Sequence, residues 1–241
     1  MTNVAESYGS PRNILLSTLS GILESFDRFP RGYYDQEENQ RNILSIKEYL
    51  DASSIQIEGS FSVSTNEFLT LIGSAINLTE IEVSRFDRDE KNELLALLHS
   101  LIKFRGSFGK SLRSKQSDRI RGLYVIIDPQ VTNGRDPLDI ARGAVRGGAR
   151  IIQLRDKLRD KGEIMPLAIE LKDLCQDNNV LLIINDHVDM AASLGTDNVG
   201  VHVGQTDLSV ADSRNILHES QLIGRSNREI PLLIESQEMG A

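Results

Sequence analysis

Three clusters of polar residues in the second half of the chain carry the side chains needed to bind an anionic substrate. They are Gln-Leu-Arg-Asp-Lys at 153–157, Asn-Asp at 185–186 and Gly-Gln-Thr-Asp at 204–207. Each cluster follows a short apolar run with the composition of a buried strand. Polar groups at the carboxyl ends of successive strands are how a β/α barrel builds an active site. The pattern therefore predicts one shared site at the carboxyl edge of a parallel sheet.

The 153–157 cluster combines an amide with two cations. Gln153, Arg155 and Lys157 alternate with Leu154 and Asp156, and a period of two predicts that these three side chains share one side of an extended chain. Arginine can bind a diphosphate through a forked contact, and lysine can bind it as a point charge. The same cations could instead be solvated loop charges, because most charged residues lie on the surface.

Two aspartates have the residue type and the placement of a magnesium site. Asp186 and Asp207 each come just after a buried strand, and Mg²⁺ prefers oxygen ligands while keeping waters and substrate phosphate. Asn185 can exchange a hydrogen bond with a heteroaromatic ring. A simpler interpretation of Asp186 is that it only caps the helix that follows.

The elements that must position these clusters alternate between strands and helices. Apolar runs predict strands at 123–127, 151–152, 180–184, 199–203 and 222–223. Helical patterns lie between and after them, at 140–145, 164–175, 189–194, 211–217 and 231–239. The order predicts an α/β fold with a parallel sheet.

The first half of the chain has the period of helices. Apolar residues recur at helical spacing over 14–26, 43–50, 65–76 and 87–104, with Ser64 or Thr65 as a candidate N-cap. Residues 55–62 alternate and predict a short strand, while residues 105–119, rich in Ser, Gly, Lys and Arg, predict a basic linker. We expect a mainly helical domain over 1–118, in which no residue indicates a chemistry, and a second domain over 119–241.

Composition limits the class of partner. The net charge of −8 argues against non-specific binding of nucleic acid, and no apolar run approaches membrane-spanning length. The single cysteine, Cys175, excludes an intramolecular disulfide and lies in a helical pattern, which favours a buried thiol over a nucleophile. His202, inside the fourth strand, is interpreted as a packed, hydrogen-bonded histidine. No signal-peptide layout precedes the first helix, so we expect a cytoplasmic protein.

Four stretches of the second half resemble thiamine-phosphate synthase. They are Ile-Ile-Gln-Leu-Arg-Asp-Lys at 151–157, Leu-Ile-Ile-Asn-Asp-His-Val-Asp-Met-Ala at 182–191, Gly-Val-His-Val-Gly-Gln-Thr-Asp-Leu at 200–208 and Ile-Gly-Arg-Ser at 223–226. Residues 123–128 are similar to the first strand of that family. The resemblance covers about residues 121–241 and implies a (β/α)₈ TIM barrel.

The resemblance also implies a reaction and the residues that serve it. The hydroxymethylpyrimidine group would pass from its diphosphate to thiazole phosphate, giving thiamine phosphate and pyrophosphate. By the family pattern, Asp186 and Asp207 hold the Mg²⁺ cofactor, and Arg155 and Lys157 are the expected catalytic residues. The implied substrate-binding residues are Gln153, Leu154, Arg155, Asp156, Lys157, Asn185 and Ser226.

The sequence departs from the family at its end. It stops at Ala241, whereas the family continues through strands six to eight, and a sheet of five strands cannot close a barrel. We therefore expect a partial barrel of about five of the eight βα units that is weakly stable or inactive alone. The candidate explanations are a truncated gene model, a fragment, or partnering with a second chain or in an oligomer. Two alternatives remain: a non-catalytic interaction or regulatory protein with a degenerate half barrel, and a related barrel that isomerises the thiazole.

Overall fold

The structure is a computed structural model, and it describes residues 10–29, 37–53, 63–86, 88–196 and 198–241. The chain divides into two compact units, Met1–Leu112 and Arg113–Ala241. The strand predicted at 55–62 lies outside the described residues. Within the described residues, no helix is both long and apolar enough to cross a membrane.

The described part of the first unit is helical. Its helices are α1 (Pro11–Phe26), α2 (Glu37–Ala52), α3 (Thr65–Val83) and α4 (Arg88–Lys115), which runs on past the unit's last residue. Ser64 caps α3 through a capping box: its hydroxyl accepts a hydrogen bond from the Glu67 amide, and the Glu67 carboxylate accepts one from the Ser64 amide. The core of this unit is rich in aromatic rings, with Phe68 buried against Phe104 and Phe108.

The basic linker predicted at 105–119 is wrong for most of its length. Helix α4 continues to Lys115, and a short 3₁₀ turn follows at Ser117–Ile120. Phe104, Phe108 and Leu112 recur every fourth residue and are buried, so they extend the apolar stripe of the helix through the polar segment. The glycine and serine content of this stretch was a weaker signal than the periodicity of its large apolar residues.

The second unit contains a sheet of five strands in the order β1-β2-β3-β4-β5, and every neighbouring pair is parallel. This confirms the predicted α/β fold. The strands are β1 (Leu123–Ile127), β2 (Ala149–Leu154), β3 (Leu181–Asn185), β4 (Val199–Val203) and β5 (Ile223–Arg225). The helices that alternate with them are α5 (Pro137–Arg146), α6 (Lys161–Asp177), α7 (Val188–Ser193), α8 (Val210–Ile216) and α9 (Ile230–Glu238).

The two faces of the sheet differ in what they pack against. Leu154, Leu182 and Val201 point into the large core that the sheet shares with the helices. The opposite face carries a smaller apolar cluster made of Ile151, Leu181 and Ile183, with Leu222 beside it. Because side chains alternate along a strand, the residues that continue this second face reach the carboxyl edge of the sheet.

The register between strands decides which of those residues are neighbours. Gln153 of β2 pairs with Ile126 of β1 and with Ile183 of β3. Two residues beyond Ile183, towards the carboxyl edge, Asn185 of β3 pairs with His202 of β4. His202 in turn pairs with Gly224 of β5. Polar residues that are far apart in the sequence therefore lie side by side.

Candidate active site

Polar side chains from neighbouring strand ends pair with one another along the carboxyl edge of the sheet. The pairs are Asp128 with Arg155, Gln153 with Asn185, Lys157 with Asp186, and His202 with Ser226. Each pair joins residues that follow or end two different strands. The pairs thus bridge the β1/β2, β2/β3 and β4/β5 boundaries of the edge.

Arg155 is tied to the end of β1 by its backbone and by its side chain. Its amide donates to the Ile127 carbonyl at 2.9 Å, and its Nη1 forms an ion pair with the Asp128 carboxylate. The Arg155 side chain is 39% exposed, whereas the Asp128 side chain is only 13% exposed. Sequence reasoning gave Asp128 no role, although its place directly after β1 was a usable signal.

Lys157 pairs with Asp186 across the next strand boundary, with Nζ 3.0 Å from Oδ2. Asp186 has φ +63°, in the left-handed region that few residues except glycine adopt, and its amide donates to the His202 carbonyl at 2.8 Å. Unusual backbone conformations of this kind cluster at functional sites. The turn after β3 thus sets the Asp186 carboxylate beside the cation of the β2 loop.

The base of the site is a chain of neutral polar groups. The Tyr124 hydroxyl donates to Gln153 Oε1 at 3.2 Å, and Gln153 Nε2 donates to Asn185 Oδ1 at 2.8 Å. Burial raises the pKa of Tyr124 to about 12, so its hydroxyl stays protonated and remains a donor. The Asn185 Nδ2 is buried and has no acceptor among the described residues. A buried amide donor left unpaired in this way is suited to an acceptor atom of a ligand.

His202 contacts Ser226 and is influenced by the carboxylates of the two predicted metal ligands. Its Nε2 is 2.9 Å from Ser226 Oγ, and a Cβ on Gly224 would lie 2.8 Å from its Nδ1. Burial lowers the pKa of His202, while the carboxylates of Asp186 and Asp207 act to raise it. The ring is hydrogen-bonded, and both carboxylates are near enough to act on it.

Asp186 and Asp207 have the chemistry of a Mg²⁺ site. Asp207 Oδ2 accepts a hydrogen bond from the Gly204 amide at 2.7 Å, which fixes the turn after β4. Within the described part of the chain, no three His, Cys, Asp or Glu side chains converge into a metal cluster. Mg²⁺ bound with a phosphate substrate usually takes only one or two carboxylates from the protein, so the pair fits the ion.

Two residues of the predicted substrate-binding set have side chains directed elsewhere. Leu154 is 2% exposed and packs in the core between sheet and helices, so only its backbone can face a ligand. The Asp156 carboxylate accepts hydrogen bonds from the amides of Leu158 and Arg159 and from the Arg159 side chain. Burial acts to raise the pKa of Asp156, but these hydrogen bonds outweigh it and hold the pKa below its usual value. Asp156 therefore organises its own loop.

Known proteins match the sheet unit in sequence. Residues 123–241 match the family described as thiamine monophosphate synthase. The thiamine-phosphate synthase of Shouchella clausii is 39% identical over 119 residues, which cover 49% of this chain and 56% of that protein. A solved structure of thiamine phosphate pyrophosphorylase from Pyrococcus furiosus has a TM-score of 0.45 and 28% identity, and it covers 49% of this chain and 55% of that one.

A second relative extends the similarity towards the helical unit. The thiamine-phosphate synthase of a Synechococcus species is 35% identical over 147 residues, which cover 61% of this chain and 41% of that protein. This match is longer than the segment 123–241, so it includes residues before 123. The chain spans 56% of the length of the relative from Shouchella clausii. Residues 123–241, about half of the chain, are therefore similar in sequence to the thiamine-phosphate synthase family.

Proposed function

We propose that the sheet unit binds hydroxymethylpyrimidine diphosphate with Mg²⁺ and serves the transfer of the pyrimidinylmethyl group to thiazole phosphate. In this reaction, the bond between the pyrimidine methylene carbon and the diphosphate oxygen breaks, and its electron pair leaves with pyrophosphate. The ring nitrogen of the thiazole then forms the new bond to the methylene carbon. The observation that supports this most strongly is the unpaired, buried Asn185 Nδ2 at the base of an edge that carries Arg155 and Lys157.

The base of the site suits the pyrimidine ring. Asn185 Nδ2 can donate to a ring nitrogen, while Gln153 fixes the orientation of the Asn185 amide by donating to its Oδ1. Tyr124 orients Gln153 in turn. An aminopyrimidine would satisfy a donor that is otherwise costly to bury, since an unpaired buried polar group costs about 1–3 kcal/mol.

The cations of the edge suit the diphosphate. Only Nη1 of Arg155 has an acceptor within the described residues, so its other N–H groups can bind phosphate oxygens. Lys157 can move from the Asp186 carboxylate to the diphosphate, because its side chain is half exposed. Both cations would stabilise the negative charge that develops on the departing pyrophosphate.

Mg²⁺ held by Asp186 and Asp207 would supply further charge stabilisation for the leaving group. The carboxylates of Asp186 and Asp207 both act to raise the pKa of His202, which supports a shared place for them at the edge. Ser226, held by His202, is proposed as a further contact to the substrate.

The thiazole phosphate is proposed to be bound with the help of another chain or a second copy. Leu123 and Ile126 of β1 are 52% and 55% exposed, which leaves apolar side chains uncovered on the outermost strand. Light scattering after gel filtration would test this, and a strictly monomeric chain that forms thiamine phosphate would contradict it.

We propose that the protein functions in the cytoplasm, because its single cysteine, Cys175, is a buried free thiol, as a reducing compartment allows.

The test is calorimetry of the purified chain with hydroxymethylpyrimidine diphosphate and Mg²⁺, followed by a product assay with thiazole phosphate. Lys157→Ala should weaken binding by about 10-fold or more, since a charge-assisted contact is worth about 1.5–3 kcal/mol. Lys161→Ala removes the same charge from a lysine that pairs with Asp189 and belongs to none of the four polar pairs, and it should leave binding unchanged. Asn185→Ala should weaken binding of the pyrimidine diphosphate but not of pyrophosphate.

The alternatives predict different results in the same assay. A folded chain that binds no pyrimidine diphosphate would favour a non-catalytic protein. Binding of thiazole phosphate without binding of the pyrimidine diphosphate would favour a thiazole-isomerising barrel. Equal losses in Lys157→Ala and Lys161→Ala would show that the polar edge is not the binding site.

A further inference from the structure

Asp128 makes two contacts that together link the loop after β1 to the cation of the loop after β2. Its Oδ1 accepts a hydrogen bond from the Gln130 amide at 3.0 Å, which caps the short 3₁₀ turn Pro129–Val131. Its Oδ2 pairs with Arg155 Nη1. The carboxylate is largely buried, whereas the arginine is more exposed, so the acid is the fixed partner of this pair.

We propose that Asp128 is a positioning residue for Arg155, an inference that rests on the function proposed above. By holding Nη1, Asp128 limits rotation of the guanidinium and leaves the remaining N–H groups for the diphosphate. A guanidinium offers five donors in a rigid fork, so fixing one edge of the fork orients the other donors as well. The backbone bond from the Arg155 amide to the Ile127 carbonyl adds a second anchor on the same strand end.

An alternative role for Asp128 makes the opposite prediction for binding. If Asp128 acted only as a counter-charge, it would weaken the attraction of Arg155 for phosphate, and removing its charge would tighten binding. If it positions Arg155, removing the contact would weaken binding even though a nearby negative charge is lost. Two substitutions separate these effects, because asparagine keeps an oxygen acceptor and a capping side chain while alanine keeps neither.

The experiment compares Asp128→Asn, Asp128→Ala and the wild-type chain in calorimetry with hydroxymethylpyrimidine diphosphate and Mg²⁺. We expect Asp128→Ala to weaken binding by about 5-fold or more and Asp128→Asn to stay within about 2-fold of the wild type. Asp136→Ala is the matched control, since Asp136 caps α5 by accepting from the Leu138 amide at 2.9 Å and has no contact with Arg155. The Asp136→Ala variant should lower the free energy of unfolding, because a helix cap is lost, without weakening binding.

A second measurement needs no substrate. In protein labelled with ¹⁵N-arginine, slow rotation of the Arg155 guanidinium should give separate Nη signals in the wild type and in Asp128→Asn but averaged signals in Asp128→Ala. The Arg155→Lys variant assigns those signals.

A double-mutant cycle tests the same link by binding. In the Arg155→Ala background, adding Asp128→Ala should have no further effect on binding, because Asp128 is proposed to act through Arg155.

Each outcome either supports or overturns the positioning role of Asp128. Equal or tighter binding by both Asp128 variants, or unchanged Arg155 signals in Asp128→Ala, would overturn the positioning role while leaving the proposed function intact. A wild-type chain that shows the slow Arg155 signals but binds no pyrimidine diphosphate would instead remove the proposed function, and the positioning role would fail with it.

Discussion

The helical unit and the sheet unit satisfy their polar side chains in different ways. In the helical unit, most of the hydroxyls bond within their own helix, as when Thr79 Oγ1 donates to the Ala75 carbonyl at 2.7 Å, while Ser107 also donates to Asn39 of another helix. In the sheet unit, the polar pairs of the carboxyl edge join different strands, as when Gln153 Nε2 donates to Asn185 Oδ1 at 2.8 Å. A helix can absorb such groups locally, whereas a parallel sheet brings together polar residues that are distant in sequence. The proposed site lies in the sheet unit, where the topology brings together residues that are distant in sequence.

The largest expected effect comes from the aromatic core of the helical unit. Phe68 is buried, and its ring lies 4.9 Å from the centroid of Phe108 and 6.1 Å from that of Phe104. Phe68→Ala should lower the free energy of unfolding of this unit by about 3–5 kcal/mol, because it leaves a cavity among packed rings. Urea unfolding followed by circular dichroism measures the loss.

The same variant tests whether substrate binding depends on the helical unit. We expect Phe68→Ala to keep the calorimetric binding of the pyrimidine diphosphate, since every residue of the proposed site lies in the sheet unit. Loss of that binding in a chain whose sheet unit remains folded would show that the helical unit contributes to the site. It would also give this unit a role that its residues do not indicate.

A smaller effect is expected at Gly224 of β5, which packs closely against the ring of His202. Gly224→Ala places a Cβ 2.8 Å from His202 Nδ1, so the ring or the strand must shift, and the contact to Ser226 should weaken. The free energy of unfolding should fall by about 1–3 kcal/mol, as in other overpacked sites. Gly162→Ala in α6 is the control, because nothing lies within 4 Å of the added carbon. Equal stability of the two variants would contradict the close packing of Gly224 against His202.

The elements of both units could be predicted from the sequence, but several contacts could not. Continuous apolar runs marked the strands and helical spacing marked the helices, because these periods reflect local geometry. The linker predicted at 105–119 was wrong, since composition was given more weight than the period of Phe104, Phe108 and Leu112. The ion pair of Asp128 with Arg155 was missed because it depends on the strand that lies beside β1.

A local cap should have a still smaller effect, and the helical unit is where it can be measured. Ser64→Ala removes a capping box and should cost about 1 kcal/mol of stability. Ser74 lies in the same helix, where its hydroxyl only bonds the Thr70 carbonyl, so Ser74→Ala should be neutral or slightly stabilising. Urea unfolding of both variants gives the difference, and equal effects would contradict a special role for the cap.

The smallest effect is expected from an exposed ion pair. Lys161 Nζ lies 2.7 Å from Asp189 Oδ2, but about half of each side chain is exposed. Lys161→Ala should change the free energy of unfolding by no more than about 0.5–1 kcal/mol, because solvent screens such pairs. Thermal unfolding at low and high salt checks this, and a loss above that range would mean that the pair between α6 and α7 has a structural role. The result also qualifies Lys161 as the control for Lys157.

The sequence by itself determined the alternation of strands and helices, the apolar character of the strands, and the residue types that follow them. Those properties are local, because they depend on the period of the backbone and on side-chain polarity. Only the tertiary structure decided that Arg155 meets Asp128, that Lys157 meets Asp186, and that Leu154 faces the helices. These pairings depend on strand order and register, which arise from packing across the whole sheet rather than from any single segment.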